Sequence, residues 1–349
     1  PQAKIVNLEV NYRCEPPIVE AAMRLITHNE ERFPKKIRAG KAGKQKVRFQ
    51  YFEDCYKENA FLAEDIRQTV QNGVPLSEIA VLFRTNMQPR ALMEYMVSAN
   101  LAFQTKDRIP DIYEHWIARD FFTYIRIAQG SDSRADFLSI MNRPKRYIGR
   151  DSLPDETVCF DEWMKLYEEQ PWIAERIEKL WYDLKHLSRL SPYAAINYIR
   201  RGIGYDDYLA EYAEYRNANK EDFYELADEI LASAKGYRTF EEWFAHIEEY
   251  RQELKRLAQE KRRNQNAVTF ATLHSAKGLE FTKVYLIDVN EGVMPYKKAV
   301  LKQDVEEERR LFYVGMTRAK ESLTICSVKK MRGKEVELSR FIKEAGKEP

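Results

Sequence analysis

A chain of 349 residues can bury a sizeable core and suits two domains better than one. Hydrophobic residues make up 44% and charged residues 32%, which excludes a disordered chain, and no apolar run nears the ~20 residues of a membrane span. The four cysteines, Cys14, Cys55, Cys159 and Cys326, form no CxxC pair, so no metal site is expected; with no secretory signal, reduced thiols in the cytoplasm are the expectation.

In chain order, 47–52 (VRFQYF) reads as a strand, 56–73 as a helix stopped by Gly73, 79–84 (IAVLFR) as a strand, 88–100 as a helix and 103–105 (FQT) as a short strand. Strands follow at 267–272 and 283–289, then a helix around 305–319 and a strand at 322–328. Short apolar strands alternating with helices predict an α/β lobe built on a mostly parallel sheet. Between these flanks, stretches such as 221–236 and 239–263 carry apolar residues at helical spacing and predict an all-helical block. The overall charge of +2 divides at the same places. Residues 108–263 hold 25 Lys and Arg against 30 Asp and Glu, whereas the rest holds 32 against 25. All five tryptophans, Trp116, Trp163, Trp172, Trp181 and Trp243, fall in the acidic block. These shifts predict an inserted helical domain over 108–264, with 1–107 and 265–349 forming one basic domain suited to an anionic partner.

Four stretches carry candidate chemistry. In LEVNYRC (8–14), Tyr12 can stack on a flat base and Arg13 can reach a phosphate; a buried tyrosine beside a surface arginine explains the same residues. VLFRTNMQPR (81–90) places Arg84, Thr85 and Asn86 at the C-terminal edge of a strand, where ligands bind parallel sheets, although an ordinary strand-to-helix turn reads alike. In VTFATLHSAKGLEF (268–281), Thr272, His274 and Ser275 can donate to a nucleic-acid backbone, Gly278 permits close approach and Glu280 can accept from a ribose. EEERRLFYVGMTRAK (306–320) reads as a helix presenting Arg309, Arg310 and, two turns on, Arg318; a helix held by i,i+4 ion pairs with Glu306 and others explains the same spacing. Yet no G-x-x-x-x-G-K-[ST] phosphate loop occurs, and the nearest run, AGKAGKQK (39–46), lacks its spacing.

Taken in this order, the four stretches resemble motifs IV, IVa, V and VI of superfamily 1 DNA helicases of the UvrD/PcrA/Rep type, over nearly the whole chain. The resemblance implies a second RecA-like lobe, 2A, at 1–107 and 265–349, interrupted by a helical domain, 2B, at 108–264. It implies the C-terminal half of an ATP-dependent 3′-to-5′ DNA helicase. Tyr12 would stack on adenine, Arg13 and Arg318 would contact the γ-phosphate across an open cleft, and Gly278 and Glu280 would lie near the ribose. Arg84, Thr85, Asn86, Thr272 and His274 would lie along the single strand. NRPKRYIG (142–149) is similar to a 2B stretch that grips duplex DNA, which puts Lys145 and Arg146 on DNA, but Tyr147 stands where the family often has a small residue. The phosphate loop, the Mg2+ ligands and lobes 1A and 1B are expected in a segment preceding Pro1. The alternative is a stand-alone DNA- or protein-binding module without ATP turnover; a helicase–nuclease fusion ranks last, since no acidic cluster follows motif VI.

Overall fold

The computed structural model describes residues 9–32, 37–43, 45–260 and 266–346. Leu8, Lys44 and the expected boundary at 264/265 lie outside the described residues. By internal contacts the chain divides into two compact units, one of residues 1–110 with 252–349 and one of residues 111–251.

The first elements are β1 (Val10–Asn11), α1 (Pro16–Ile26), β2 (Arg38–Ala39), β3 (Arg48–Asp54), α2 (Cys55–Gln71), β4 (Ile79–Phe83), α3 (Arg90–Ser98) and β5 (Phe103–Thr105). Helices follow: α4 (Trp116–Ala128), α5 (Arg134–Ile140), α6 (Phe160–Lys165), α7 (Pro171–Leu187), α8 (Pro192–Arg201), α9 (Tyr205–Tyr215), α10 (Lys220–Ser233) and α11 (Phe240–Glu260). The chain closes with β6 (Val268–Thr272), β7 (Phe281–Leu286), α12 (Lys302–Met316), β8 (Ala319–Met331), β9 (Lys334–Glu335) and α13 (Arg340–Ala345).

In the first unit the sheet runs β3-β8-β7-β4-β6-β5, all parallel. The added strand β9 pairs antiparallel with β8 through a two-residue turn, Arg332-Gly333, in which both residues have positive φ. Alternation along β4 explains the layers. Ala80 and Leu82 join Leu286, Leu323 and Ile325 in one core with α1, α12 and α13. Ile79, Val81 and Phe83 join Phe270, Tyr285 and Cys326 in the other, under α2 and α3. Both faces of the strand are covered, so an unbroken apolar run is required there. Burial of each large apolar side chain contributes about 1.5–3 kcal/mol. Within the second layer Asp65 of α2 accepts from Arg48 (2.9 Å), Lys283 (2.6 Å) and Tyr285 (2.6 Å), so the charge that Lys283 carries inside the sheet is matched.

The second unit is helical; among its described residues the only strand-like pairing is an isolated bridge, Ser133 to Thr157. Asp120 of α4 ties the helices together, accepting from Arg143 (2.6 and 2.8 Å) and from the buried hydroxyl of Tyr205 (2.6 Å). Among the described residues, no helix is long and apolar enough to cross a membrane.

Candidate functional site

Two groups of the singled-out residues sit at opposite edges of the parallel sheet. At the edge where β7 and β8 begin, the two-residue pair β1–β2 brings Gly40 against Tyr12, with Gly40 N donating to Asn11 O at 2.7 Å. A Cβ on Gly40 would fall 2.7 Å from Tyr12 Cδ1, so only glycine lets this strand lie beside the ring. Asn11 Oδ1 accepts from the Arg13 and Cys14 amides (2.9 and 3.0 Å) and fixes the turn that presents Tyr12, which is 74% exposed. Arg13 Nε donates to Glu280 Oε2 at 2.7 Å, and this bond first of all holds the Glu280 carboxyl below its ordinary pKa. Asn11, Tyr12, Arg13, Lys41, Glu280 and Lys320 line an open cleft of about 410 Å³. Gly278, at φ +85°, has nothing near the position a Cβ would take.

Arg318, expected to face an open cleft, is buried instead. It follows the end of α12, and its guanidinium donates to Val314 O (2.9 Å), Leu279 O (3.1 Å) and Thr317 Oγ1 (3.3 Å). Arg13 Nη1 also reaches Thr317, at its carbonyl oxygen (3.5 Å), so the two guanidinium groups converge there. Burial first, then the Arg13 charge, pulls the Arg318 pKa below the ordinary guanidinium value. Among the described residues no carboxylate forms a salt bridge with Arg318. Buried positive charge held on neutral oxygens is suited to an incoming anion.

The other arginines of α12 are structural. Arg309 is buried, paired with Glu344 of α13 (2.6 and 2.9 Å) and bonded to Asn29. Arg310 pairs with Glu306 and Glu307. Glu306, read from sequence as a helix ion-pair partner, also accepts from the amides of Glu30 and Glu31.

At the C-terminal edge, β4 and β6 are neighbours and deliver their following loops side by side; Leu273 N donates to Phe83 O at 2.8 Å. Gln88 Oε1 accepts from the amides of Arg84 (2.8 Å) and Thr85 (2.7 Å), which shapes the first loop. Asn86 is half-buried, and among the described residues its Oδ1 has no hydrogen-bond partner. Thr272 is held by Asp107, whose carboxylate accepts from its amide (2.7 Å) and from Ser275 Oγ (2.5 Å). His274 is exposed, and burial first, with the charges of Arg84 and Lys277, lowers its pKa. Arg84 lies against α12: Glu308 accepts three hydrogen bonds from its guanidinium at 2.8–3.1 Å, and the Tyr296 ring sits 5.1 Å away.

In the helical unit, Lys145 is exposed but Arg146, expected as a DNA contact, is buried. Its guanidinium donates to the carbonyls of Ile140, Met141 and Pro144 and to the Tyr124 hydroxyl, because the loop turns back over it. Among the described residues no cluster of three His, Cys, Asp or Glu is placed to hold a metal ion.

Sequence reasoning missed Gln88, Asp107 and Glu308. Asp107 had a signal, a carboxylate just past an edge strand; Glu308 had none, since its partner lies 224 residues away.

The chain matches the family model of the UvrD-like helicase C-terminal domain over residues 6–157 and 162–330. It is 30% identical to the ATP-dependent DNA helicase PcrA of Staphylococcus epidermidis over 99% of this chain and 50% of that protein. With YjcD of Bacillus subtilis it shares 28% over 98% and 46%, and with PcrA of Bacillus subtilis 29% over 94% and 47%. The chain thus spans about half the length of the curated relatives it matches. It belongs to the UvrD-like helicase C-terminal domain family.

Proposed function

We propose that this chain is the C-terminal half of an ATP-dependent 3′-to-5′ DNA helicase, the unit of residues 1–110 and 252–349 acting as lobe 2A and that of residues 111–251 as 2B. Lobes 1A and 1B, with the phosphate loop and the Mg2+ ligands, belong to the same polypeptide in this reading, which the half-length match to the relatives supports. The observation that carries it is Arg318, buried on neutral oxygens and converging with Arg13 beside an open, cation-lined cleft.

The residues fit an adenine nucleotide. Tyr12 offers an exposed flat ring for the base, Glu280 an acceptor for ribose hydroxyls, Gly278 a bare backbone, and Arg13 and Arg318 positive charge for phosphate oxygens. When bound, ATP supplies the phosphoryl group whose transfer to water drives the motor. Arg318 exchanges two carbonyl contacts for phosphate oxygens without breaking a salt bridge, and an arginine in this role is worth ~10³–10⁵ in rate. At the other edge Thr85, Asn86, Thr272 and His274, with Arg84 beside them, form the single-strand track.

In the protein carrying its amino-terminal lobes, Arg318→Ala is expected to lower ATP turnover by orders of magnitude, and Arg318→Lys to rescue it poorly, since an ammonium lacks the planar fork. Because Arg318 is buried, Arg318→Ala is also expected to cost about 1–2 kcal/mol of stability. Near-normal turnover in the variant sinks the assignment.

A further inference from the structure

We propose that Asp107 is a built-in stand-in for a phosphate: its carboxylate fills an oxyanion cradle made by the Thr272 amide and the Thr272 and Ser275 hydroxyls, and a strand phosphate takes that place only when Asp107 turns away. That the phosphate belongs to a DNA strand rests on the function proposed above; that the cradle takes an oxyanion rests on the geometry.

The sheet delivers Asp107 to this position. Strand β5 pairs with β6 from Phe103 opposite Val268 to Thr105 opposite Phe270, and Lys106 N continues the ladder onto Phe270 O at 2.9 Å. Two residues further along each chain, Asp107 comes level with Thr272. Its Oδ2 accepts from Thr272 N at 2.7 Å, and its Oδ1 from Ser275 Oγ at 2.5 Å and Thr272 Oγ1 at 3.3 Å. One amide and two hydroxyls thus converge on two oxygens of a single anion, as backbone and hydroxyl donors do on a phosphate. Among the described residues no Lys, Arg or His forms a salt bridge with Asp107, so neutral donors alone hold the carboxylate.

The turn does not need Asp107 for its shape. Ser275 N donates to Thr272 Oγ1 at 3.2 Å and Ala276 N to Thr272 O at 2.9 Å, which close it from within. The backbone around Asp107 is fixed on both sides, by the Lys106 bond and by Ile109, which is buried in the core with Phe103 and Phe270. A side-chain rotation therefore frees the cradle without moving the chain. Ser275 is exposed and Asp107 half-buried, so the cradle opens to solvent. The charges of Arg84, Lys277 and Asp107 all act on the adjoining His274 ring. A phosphate entering here meets positive charge that Asp107 now partly offsets.

The test combines two substitutions in the full chain. Asp107→Asn keeps the size of the side chain and an acceptor for the Thr272 amide but removes the charge; Ser275→Ala removes one donor of the cradle. Anisotropy of a labelled oligothymidylate is measured over a salt series for wild type, both single variants and the double variant. Asp107→Asn is expected to bind about fivefold more tightly at about 0.1 M salt and to steepen the dependence of log K on log salt by about 0.7, the addition of one phosphate contact. With Ser275→Ala also present, the gain is expected to shrink below about twofold, since the two changes act on one cradle. An equal gain in both backgrounds makes Asp107 a remote charge, and weaker binding by Asp107→Asn makes it a brace for the turn; either overturns the proposal. Inorganic phosphate supplies an arm without DNA. It is expected to raise the melting temperature of Asp107→Asn more than that of wild type, and to lose this difference once Ser275→Ala is added. Equal rises in wild type and Asp107→Asn overturn the cradle. Should no strand bind to any of the four proteins while phosphate still separates them, the single-strand track is wrong and the cradle stands as a site for free phosphate, so the two readings fail separately.

Discussion

Glu308→Gln separates two roles for Arg84, a DNA contact held in reserve and a purely structural cation. The Glu308 side chain is 10% exposed and that of Arg84 20%, and the carboxylate also accepts from Tyr296 N at 3.1 Å. Truncating one partner of a buried pair costs about 3–5 kcal/mol; glutamine keeps the shape and an acceptor, so the loss is about 1.5–3 kcal/mol. For a unit of roughly 200 residues this lowers the melting temperature by about 4–10 °C. The released guanidinium then adds one phosphate contact. Each such contact on a single strand steepens the dependence of log K on log salt by about 0.7, which is about fivefold tighter binding near 0.1 M. Thermal melts and anisotropy of a labelled single strand over a salt series read both effects. An unchanged melt refutes the buried-pair reasoning. A lowered melt with unchanged or weaker binding removes Arg84 from the DNA-contacting set.

Asp65 is pushed up by burial, but the hydrogen bonds from Lys283, Tyr285 and Arg48 outweigh this and hold its carboxyl below the ordinary value. Its folded pKa is thus the lower one, so its contribution is present above the unfolded value of ~3.9 and is lost as pH falls through the folded one. Asp65→Ala is expected to cost about 3–5 kcal/mol near neutrality, and its denaturation midpoint should approach that of wild type in acid; a constant gap contradicts this. Glu58 has the opposite sign: burial first, then the charge of Asp288, raises its carboxyl well above the ordinary value. Its stability contribution is full below the unfolded value of ~4.3 and is lost as pH rises through the folded one, so Glu58→Gln should gain on wild type as pH rises from ~4.3 to the raised folded value. A pH-independent difference in denaturant midpoint would count against it. In α12 a Cβ on Gly315 would fall 2.3 Å from Leu273 Cδ2 and 3.3 Å from Leu286 Cδ2, both buried, so Gly315→Ala should cost about 1–3 kcal/mol despite its better helix propensity; a more stable variant refutes the close approach.

The sheet was legible because its strands are buried on both faces. IAVLF at 79–83 and VTFAT at 268–272 are unbroken buried runs, and they pair in register as neighbours. Helix α12 lies three residues earlier than its apolar pattern suggests, since Thr317 ends it and β8 starts at Ala319. The site was legible as residue types but not as pairings. Tyr12, Arg13, Glu280 and Arg318 do gather at one edge of the sheet, whereas the burial of Arg318 and Arg146 depends on carbonyl oxygens, which every residue carries and no side-chain pattern reveals. Likewise nothing in NRPKRYIG announces that Tyr147 meets Trp172, because that contact depends on where α7 begins.

Helix α12 connects the two edges of the lobe. Glu308, near its start, grips Arg84 at the edge where β4 and β6 end, and Arg318, just past its last turn, stands where β7 and β8 begin. Ten residues of helix span about 15 Å, close to the height of the sheet. The helix is anchored along its length, by Arg309 to Glu344 and by the close approach of Gly315 to Leu273, and Leu273 directly follows Thr272. In the function proposed above, a shift of α12 accompanying phosphate binding at Arg318 would be felt at these anchors. It would reach Leu273 and the Glu308–Arg84 pair, where α12 touches the loops that carry Thr272, His274, Thr85 and Asn86. In that function this packing, together with the Arg309–Glu344 and Glu308–Arg84 pairs, would be the physical carrier between chemistry and strand movement.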